Sequence, residues 1–193
     1  MKTLSSMLFV ACTAASSAAQ AEVTMAGISI GKPLALPECK SLPTNGPSKR
    51  YEALVEFACM EQPVLGALYT WVNIPFSAKP AVLKSTKISV LIVNGLVQGL
   101  GFTTVGVNLQ SLVLQDLTAK FGIPISNDTF PIRGRASIEV AATYAKWAQD
   151  DTTITYIAAL TSLDYGILEA RSATGKAHEE RVKATEKTAE PKL

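Results

Sequence analysis

The sequence predicts a single α+β domain: a largely antiparallel sheet of about six to eight strands, one principal helix packed on it, and a polar C-terminal tail. Three observations predict it. Runs of β-branched, aromatic and aliphatic residues, punctuated by Gly, Pro, Asn and Asp, recur from Glu22 to Ala173. Only one segment of that region, Asn108 to Pro124, carries helical spacing between a start and a stop signal. About 172 residues follow the first 21, enough for one hydrophobic core and too few for two.

The elements follow in order. Val23 to Ile30 reads as a strand stopped by Gly31-Lys32-Pro33, and a proline-rich loop continues through Pro37, Pro43, Asn45-Gly46 and Pro47. Tyr51 to Cys59 alternates, placing Val55, Phe57 and Cys59 on one face, and Pro63 ends it. Leu68 to Phe76 alternates likewise, grouping Leu68, Thr70, Val72 and Ile74 against Tyr69, Trp71 and Asn73. Lys87 to Val93 and Leu96 to Thr104 form a hairpin around Asn94-Gly95, a pair that tolerates the positive φ of a type I′ turn. Its register sets Val93 against Leu96, Ile92 against Val97, Val90 against Gly99 and Ile88 against Gly101. In the helix Asn108 is the expected N-cap, Leu109, Leu112, Val113, Leu117 and Phe121 form the buried stripe, and Gly122 with Pro124 stops it. Ile138 to Ala148, Thr152 to Leu160 and Tyr165 to Ser172 read as three further strands turning at Asp150-Asp151 and near Asp164. Residues 176–193 hold five basic and four acidic residues and little to bury, so they read as a mobile tail or a solvated helix supported by Glu179 and Lys183 at i and i+4.

Residues 1–21 read as a secretory leader: Lys2, an apolar run around Leu8, Phe9 and Val10, and an A-x-A site at Ala19 to Ala21 before Glu22. The apolar run is too short to span a bilayer, which takes roughly 20 residues, so no transmembrane segment is expected in the chain after cleavage. Phe9-Val10-Ala11-Cys12 loosely resembles a lipobox with Cys12 as the anchor, but Phe replaces the usual Leu, and soluble export to the periplasm or medium is preferred. Export leaves Cys39 and Cys59 as an even pair in an oxidising compartment, where a disulfide between them is expected.

Charge excludes one class. Of 18 Lys and Arg, removal of Lys2 leaves 17 against 16 Asp and Glu, scattered among one another, so no nucleic-acid partner is expected. Candidate chemistry is sparse. His178, the single histidine, lies in the charged tail with no second ligand beside it, which argues against a metal site and a histidine-dependent triad. Ser29-Ile-Gly-Lys32 matches S-x-x-K without its partner motifs, and the glycines of Gly99-Leu-Gly101-Phe fall inside a strand rather than before a helix, so neither acyl transfer nor a nucleotide cofactor follows. Asp150, Asp151 and Asp164 sit where turns call for Asp. Asn127-Asp-Thr129 matches a glycosylation sequon, although a bacterial-type leader gives no reason to expect the modification. Tyr144, Trp147, Tyr156 and Tyr165 are either interface aromatics on exposed strand faces or core residues beneath the helix.

Gly27-Ile-Ser-Ile-Gly-Lys-Pro33 and Lys120-Phe-Gly-Ile-Pro124 resemble phrases of small bacterial envelope proteins, lipoproteins of outer-membrane assembly among them. The likeness carries no functional residue, and turn and cap rules account for both phrases. The expected role is therefore that of an exported, non-catalytic binding, inhibitor or accessory protein with an unidentified protein or envelope partner, no catalytic residues, no metal and no cofactor. The alternatives are an envelope enzyme whose carboxylates or hydroxyls the fold assembles, or a lipid-anchored structural component of the envelope.

Overall fold

A computed structural model describes residues 22–42, 50–51, 55–133, 139–160 and 162–189. The leader, its Cys12, the Asn45-Gly46 turn and the last four residues lie outside them. In chain order the strands are β1 (Thr24–Met25), β2 (Ile28–Ser29), β3 (Ser41–Leu42), β4 (Arg50–Tyr51), β5 (Cys59–Met60), β6 (Thr70–Asn73), β7 (Leu83–Val93) and β8 (Leu96–Val105). Helix α1 (Gln110–Phe121) is followed by β9 (Ser126–Arg133), β10 (Glu139–Gln149), β11 (Thr152–Ile157), β12 (Tyr165–Ser172) and α2 (Ala173–Ala189). Eight strands form one antiparallel sheet in the order β5-β6-β7-β8-β12-β11-β10-β9, the α+β architecture that the alternating segments predict.

The two faces of this sheet are unlike. One carries Val72, Ile88, Val90, Leu100, Phe102, Leu168, Ala170, Ile154, Tyr156 and Trp147, all buried, under α1 and the β1–β2 hairpin. Val113, Leu117 and Phe121 recur every fourth residue, so they lie on the one flank of α1 that can meet it. Gly122, at φ 81°, ends the helix as expected, and its carbonyl accepts the Trp147 indole N–H at 2.8 Å. Gln110 completes the ladder of β10 where β11 has left it: its carboxamide accepts from the Thr143 N–H at 2.8 Å and donates to the Ala141 carbonyl at 2.9 Å.

Several expectations need correction. Val23 to Ile30 is a two-stranded hairpin rather than one strand, because Ala26 and Gly27 both take positive φ and reverse the chain. Of the expected Tyr51 to Cys59 strand, residues 52–54 lie outside the described residues, 55–58 are irregular, and Phe57 is 75% exposed rather than sharing a buried face with Cys59. Asn108 lies in a 3-10 turn and does not cap α1; Leu109 stands at the cap position and Leu112 off the Val113–Leu117–Phe121 flank, and they are 47% and 44% exposed. Strand β11 ends at Ile157, short of Leu160.

The Asn94-Gly95 turn stands where expected, with φ of 54° and 78°, and Val93 pairs with Leu96 and Ile92 with Val97. Beyond that point Gln98 is an extra residue in β8, so Leu91 faces Gly99, Val90 faces Leu100, Ser89 faces Gly101 and Ile88 faces Phe102. The bulge moves both glycines to the face away from α1. Strand β9, an eight-residue edge, is additional to the expected strands, and its Asn127, Asp128 and Pro131 are tolerated because an edge has one open side.

Candidate functional site

The face away from α1 divides into two zones. Nearer the β7–β8 turn it is covered by α2, with Leu91 and Val93 buried beside a cluster of charged and polar side chains. The helix starts at a side-chain cap: the Ser172 hydroxyl accepts the Gly175 N–H at 3.0 Å and donates to Gln98 Oε1, so the β8 bulge holds the residue that begins the helix. Gly175 brings the helix backbone against β8 so closely that a Cβ there would fall 2.3 Å from the Gln98 carbonyl oxygen.

Beneath α2 lies Arg171, buried although charged. Its side chain runs over Gly99, where a Cβ would stand 2.7 Å from Arg171 Cδ, so the missing side chain makes its bed. Arg171 Nε donates to Glu179 Oε1 at 2.6 Å, one terminal nitrogen donates to the carbonyls of Leu100 at 2.6 Å and Ala170 at 3.1 Å, and the other reaches Glu169 Oε1 at 3.3 Å and the Tyr69 hydroxyl at 3.4 Å. The Tyr69 hydroxyl in turn donates to Glu179 Oε1 at 2.5 Å. Burial, reinforced by that bond to Glu179, raises the Tyr69 pKa. Burial works against the Arg171 charge, but Glu169 first, and then the hydrogen bonds to Glu179 and Tyr69, more than offset it and leave its pKa raised. The arrangement is an ion-pair network that fastens a helix. The charged tail is thus helical, and Glu179 faces inward to Arg171 instead of pairing with Lys183 along the surface.

Toward the opposite end the same face carries an apolar strip. Register places Ile167 of β12, Ile157 of β11 and Tyr144 of β10 side by side in one row. Tyr165 stands two residues before Ile167 on the same face, and Phe130 of β9 pairs with Ala142, two before Tyr144. Ile167, Ile157, Tyr144 and Phe130 are half-buried and Tyr165 is 38% exposed. The main contacts of α2 are with β7, β8 and β12, and those of α1 fall on the other face.

The four singled-out aromatics therefore separate. Tyr144 and Tyr165 belong to this strip, whereas Trp147 and Tyr156 are buried under α1 and serve packing. The Tyr156 hydroxyl has no hydrogen-bond partner, and burial pushes its pKa well up. Sequence reasoning missed Ile157 and Ile167, which it took only as strand residues, and it missed Arg171; an arginine inside an apolar strand, with glycines elsewhere to receive it, was the available signal.

The expected disulfide joins Cys39 to Cys59. It fastens residues 37–39 alongside β5, where the Cys39 N–H donates to the Met60 carbonyl and the Met60 N–H to the Pro37 carbonyl, both at 2.8 Å. Next to it Asn73 Nδ2 donates to Glu61 Oε1 at 3.0 Å, and Lys87 Nζ lies 2.7 Å from the same oxygen.

The remaining candidates are placed as follows. Gly99 and Gly101 lie within β8, and His178 lies on α2 beside the β7–β8 turn. Asp150 and Asp151 form the β10–β11 turn, with Asp150 at φ 50°, and line a cleft of about 420 Å³ with Glu22, Lys32, Gln98 and Thr174. Asn127 is exposed on the edge strand. Among the described residues no group of three His, Cys, Asp or Glu is placed to hold a metal ion, and no helix is long and apolar enough to cross a membrane.

Fold and site together define an α+β domain with one helix-covered sheet face and one face shared between a clasped helix and an apolar strip. Comparison with protein-family models, with curated proteins and with solved structures finds no match to this chain.

Proposed function

We propose that the protein is an exported, non-catalytic binding or accessory protein of the periplasm or extracellular medium, and that it engages a protein partner through the Tyr165–Ile167–Ile157–Tyr144 strip. The observation that carries this reading is that row of aromatic and aliphatic side chains, partly open on a sheet face that α2 covers toward the other end. Tyrosines supply large contact area at low entropic cost and keep a polar tip, and they are enriched where binding energy concentrates. The leader pattern of residues 1–21 and the Cys39–Cys59 bond support an oxidising destination.

The test is capture from cell-envelope extract on immobilised residues 22–193, beside a Tyr144→Ala, Tyr165→Ala double variant whose melting curve matches the parent. A partner retained by the parent and lost by the variant is expected. Equal capture by both would remove the strip from the account. The enzyme reading has one observation in its favour, the carboxylates of Glu22, Asp150 and Asp151 around the cleft, so an Asp150→Ala, Asp151→Ala variant belongs in the same experiment. Capture lost only there would move the site to the cleft.

A further inference from the structure

A cavity of about 180 Å³ opens between α1, the β1–β2 hairpin and the start of β7, on the opposite sheet face from the strip. Met25, Val82, Leu83, Phe102, Leu117 and Leu168 make its walls. Its lining also holds two charged residues, Asp116 and Lys120, one helical turn apart on α1. They form no ion pair: Lys120 Nζ turns to the carbonyl of Thr24 in the hairpin, at 2.5 Å. An ammonium has three donors, and this bond uses one. Lys120 is exposed to solvent on one side, its ammonium lies 5.4 Å from the centre of the Phe121 ring, and its partial burial lowers its pKa.

We propose that this cavity is a binding site for a medium-chain fatty carboxylate, its alkyl chain among Met25, Phe102, Leu117 and Leu168 and its carboxylate on Lys120 Nζ. The volume sets the chain length. At roughly 30 Å³ for each water-sized group, about six methylene-sized groups fill the space. The free donors of Lys120 set the head group, since a charge-assisted bond to a carboxylate is the strongest partner an ammonium can take in a partly desolvated site. Asp116 at the mouth repels that head and confines it to the Lys120 end.

The test is NMR titration of the full chain after residue 21 with octanoate, followed through the Met25 and Leu117 methyl groups, with butyrate, dodecanoate and 1-octanol as comparison probes. Saturable shifts at those methyls are expected, with affinity rising from butyrate to octanoate and no further at dodecanoate. Lys120→Met should weaken octanoate at least about 5-fold, through loss of one charge-assisted bond, and leave 1-octanol unchanged, while Asp116→Asn should tighten octanoate. Three results overturn the proposal: no saturable shift up to about 10 mM octanoate, beyond which affinity is weaker than any specific site; shifts confined to other residues; or octanoate affinity indifferent to Lys120→Met.

Discussion

Arg171 Nε and Glu179 Oε1 lie 2.6 Å apart with both side chains largely buried, so the helix following β12 is folded back on its own strand by an ion pair closed over the sheet. Tyr69, from β6's approach on the far side of β8, bonds the same carboxylate oxygen, so one oxygen links three separate parts of the chain. Removing Glu179 leaves the buried Arg171 charge with only the half-exposed Glu169 as its counter-charge, and stranding a buried charge in this way costs more than the pair contributes.

Glu179→Ala should therefore lower stability by about 3 kcal/mol, at the lower end of the range for breaking a buried pair. For a chain of this size that is roughly 6–12 °C in melting temperature. Deleting residues 176–193 should cost at least as much. A double variant, Arg171→Met with Glu179→Leu, should lose less than Glu179→Ala alone, because no buried charge is stranded. Thermal denaturation of the three variants checks the order.

Much of the fold was legible, for reasons particular to each element. Asn94-Gly95 could be placed because few residue pairs accept two positive φ values, and β10 to β12 because their alternation is long and clean. The Gln98 bulge was not legible: it is held by Ser172, 74 residues away, through the start of α2. The burial of Glu179 depends on Tyr69 across 110 residues, so composition alone made the tail a solvated segment. The site was half legible. Tyr144 and Tyr165 stand out as aromatics, but that they join Ile157 and Ile167 in one strip depends on the exact register of the β10–β11–β12 meander and on α2 packing over β7, β8 and β12, neither of which is written in the alternation of the segments.

Tyr156→Phe should be neutral or stabilising by up to about 1 kcal/mol, since it removes a buried hydroxyl that has no partner. It also bears on pH. Tyr69 and Tyr156 both have raised pKa values in the folded protein, so the fold favours the protonated phenol. That contribution is complete below the ordinary tyrosine value of about 10 and is lost as pH rises beyond it through the folded-state values. Melting temperature measured from neutral to strongly alkaline pH should fall above about pH 10, and less steeply in Tyr156→Phe.

Two glycines should respond differently to alanine. Gly95 has open space at its Cβ position and φ 78°, so Gly95→Ala meets only backbone strain, about 1 kcal/mol. At Gly106 a Cβ would stand 1.9 Å from the Leu163 carbonyl oxygen, a rigid backbone atom. Gly106→Ala should be the more damaging in chemical denaturation, and equal effects would contradict the close approach of Leu163 and Asp164 to Gly106.

Alkylation of the denatured, unreduced protein should label neither Cys39 nor Cys59. Reduction should lower stability by roughly 3 kcal/mol, the loop-closure value for a ring of about 20 residues. Binding at the strip, on strands remote from β5 in the sheet order, should survive reduction at a temperature where the domain remains folded.

The strip is tested most directly by a photo-crosslinking amino acid placed at Tyr165 and, separately, at Asn127, which is exposed on the opposite face of the edge strand. Irradiation in the intact cell envelope should give one discrete protein adduct from position 165 and none from position 127. An adduct from 127 without one from 165, or none from either, would contradict a partner bound through Tyr165, Ile167, Ile157 and Tyr144.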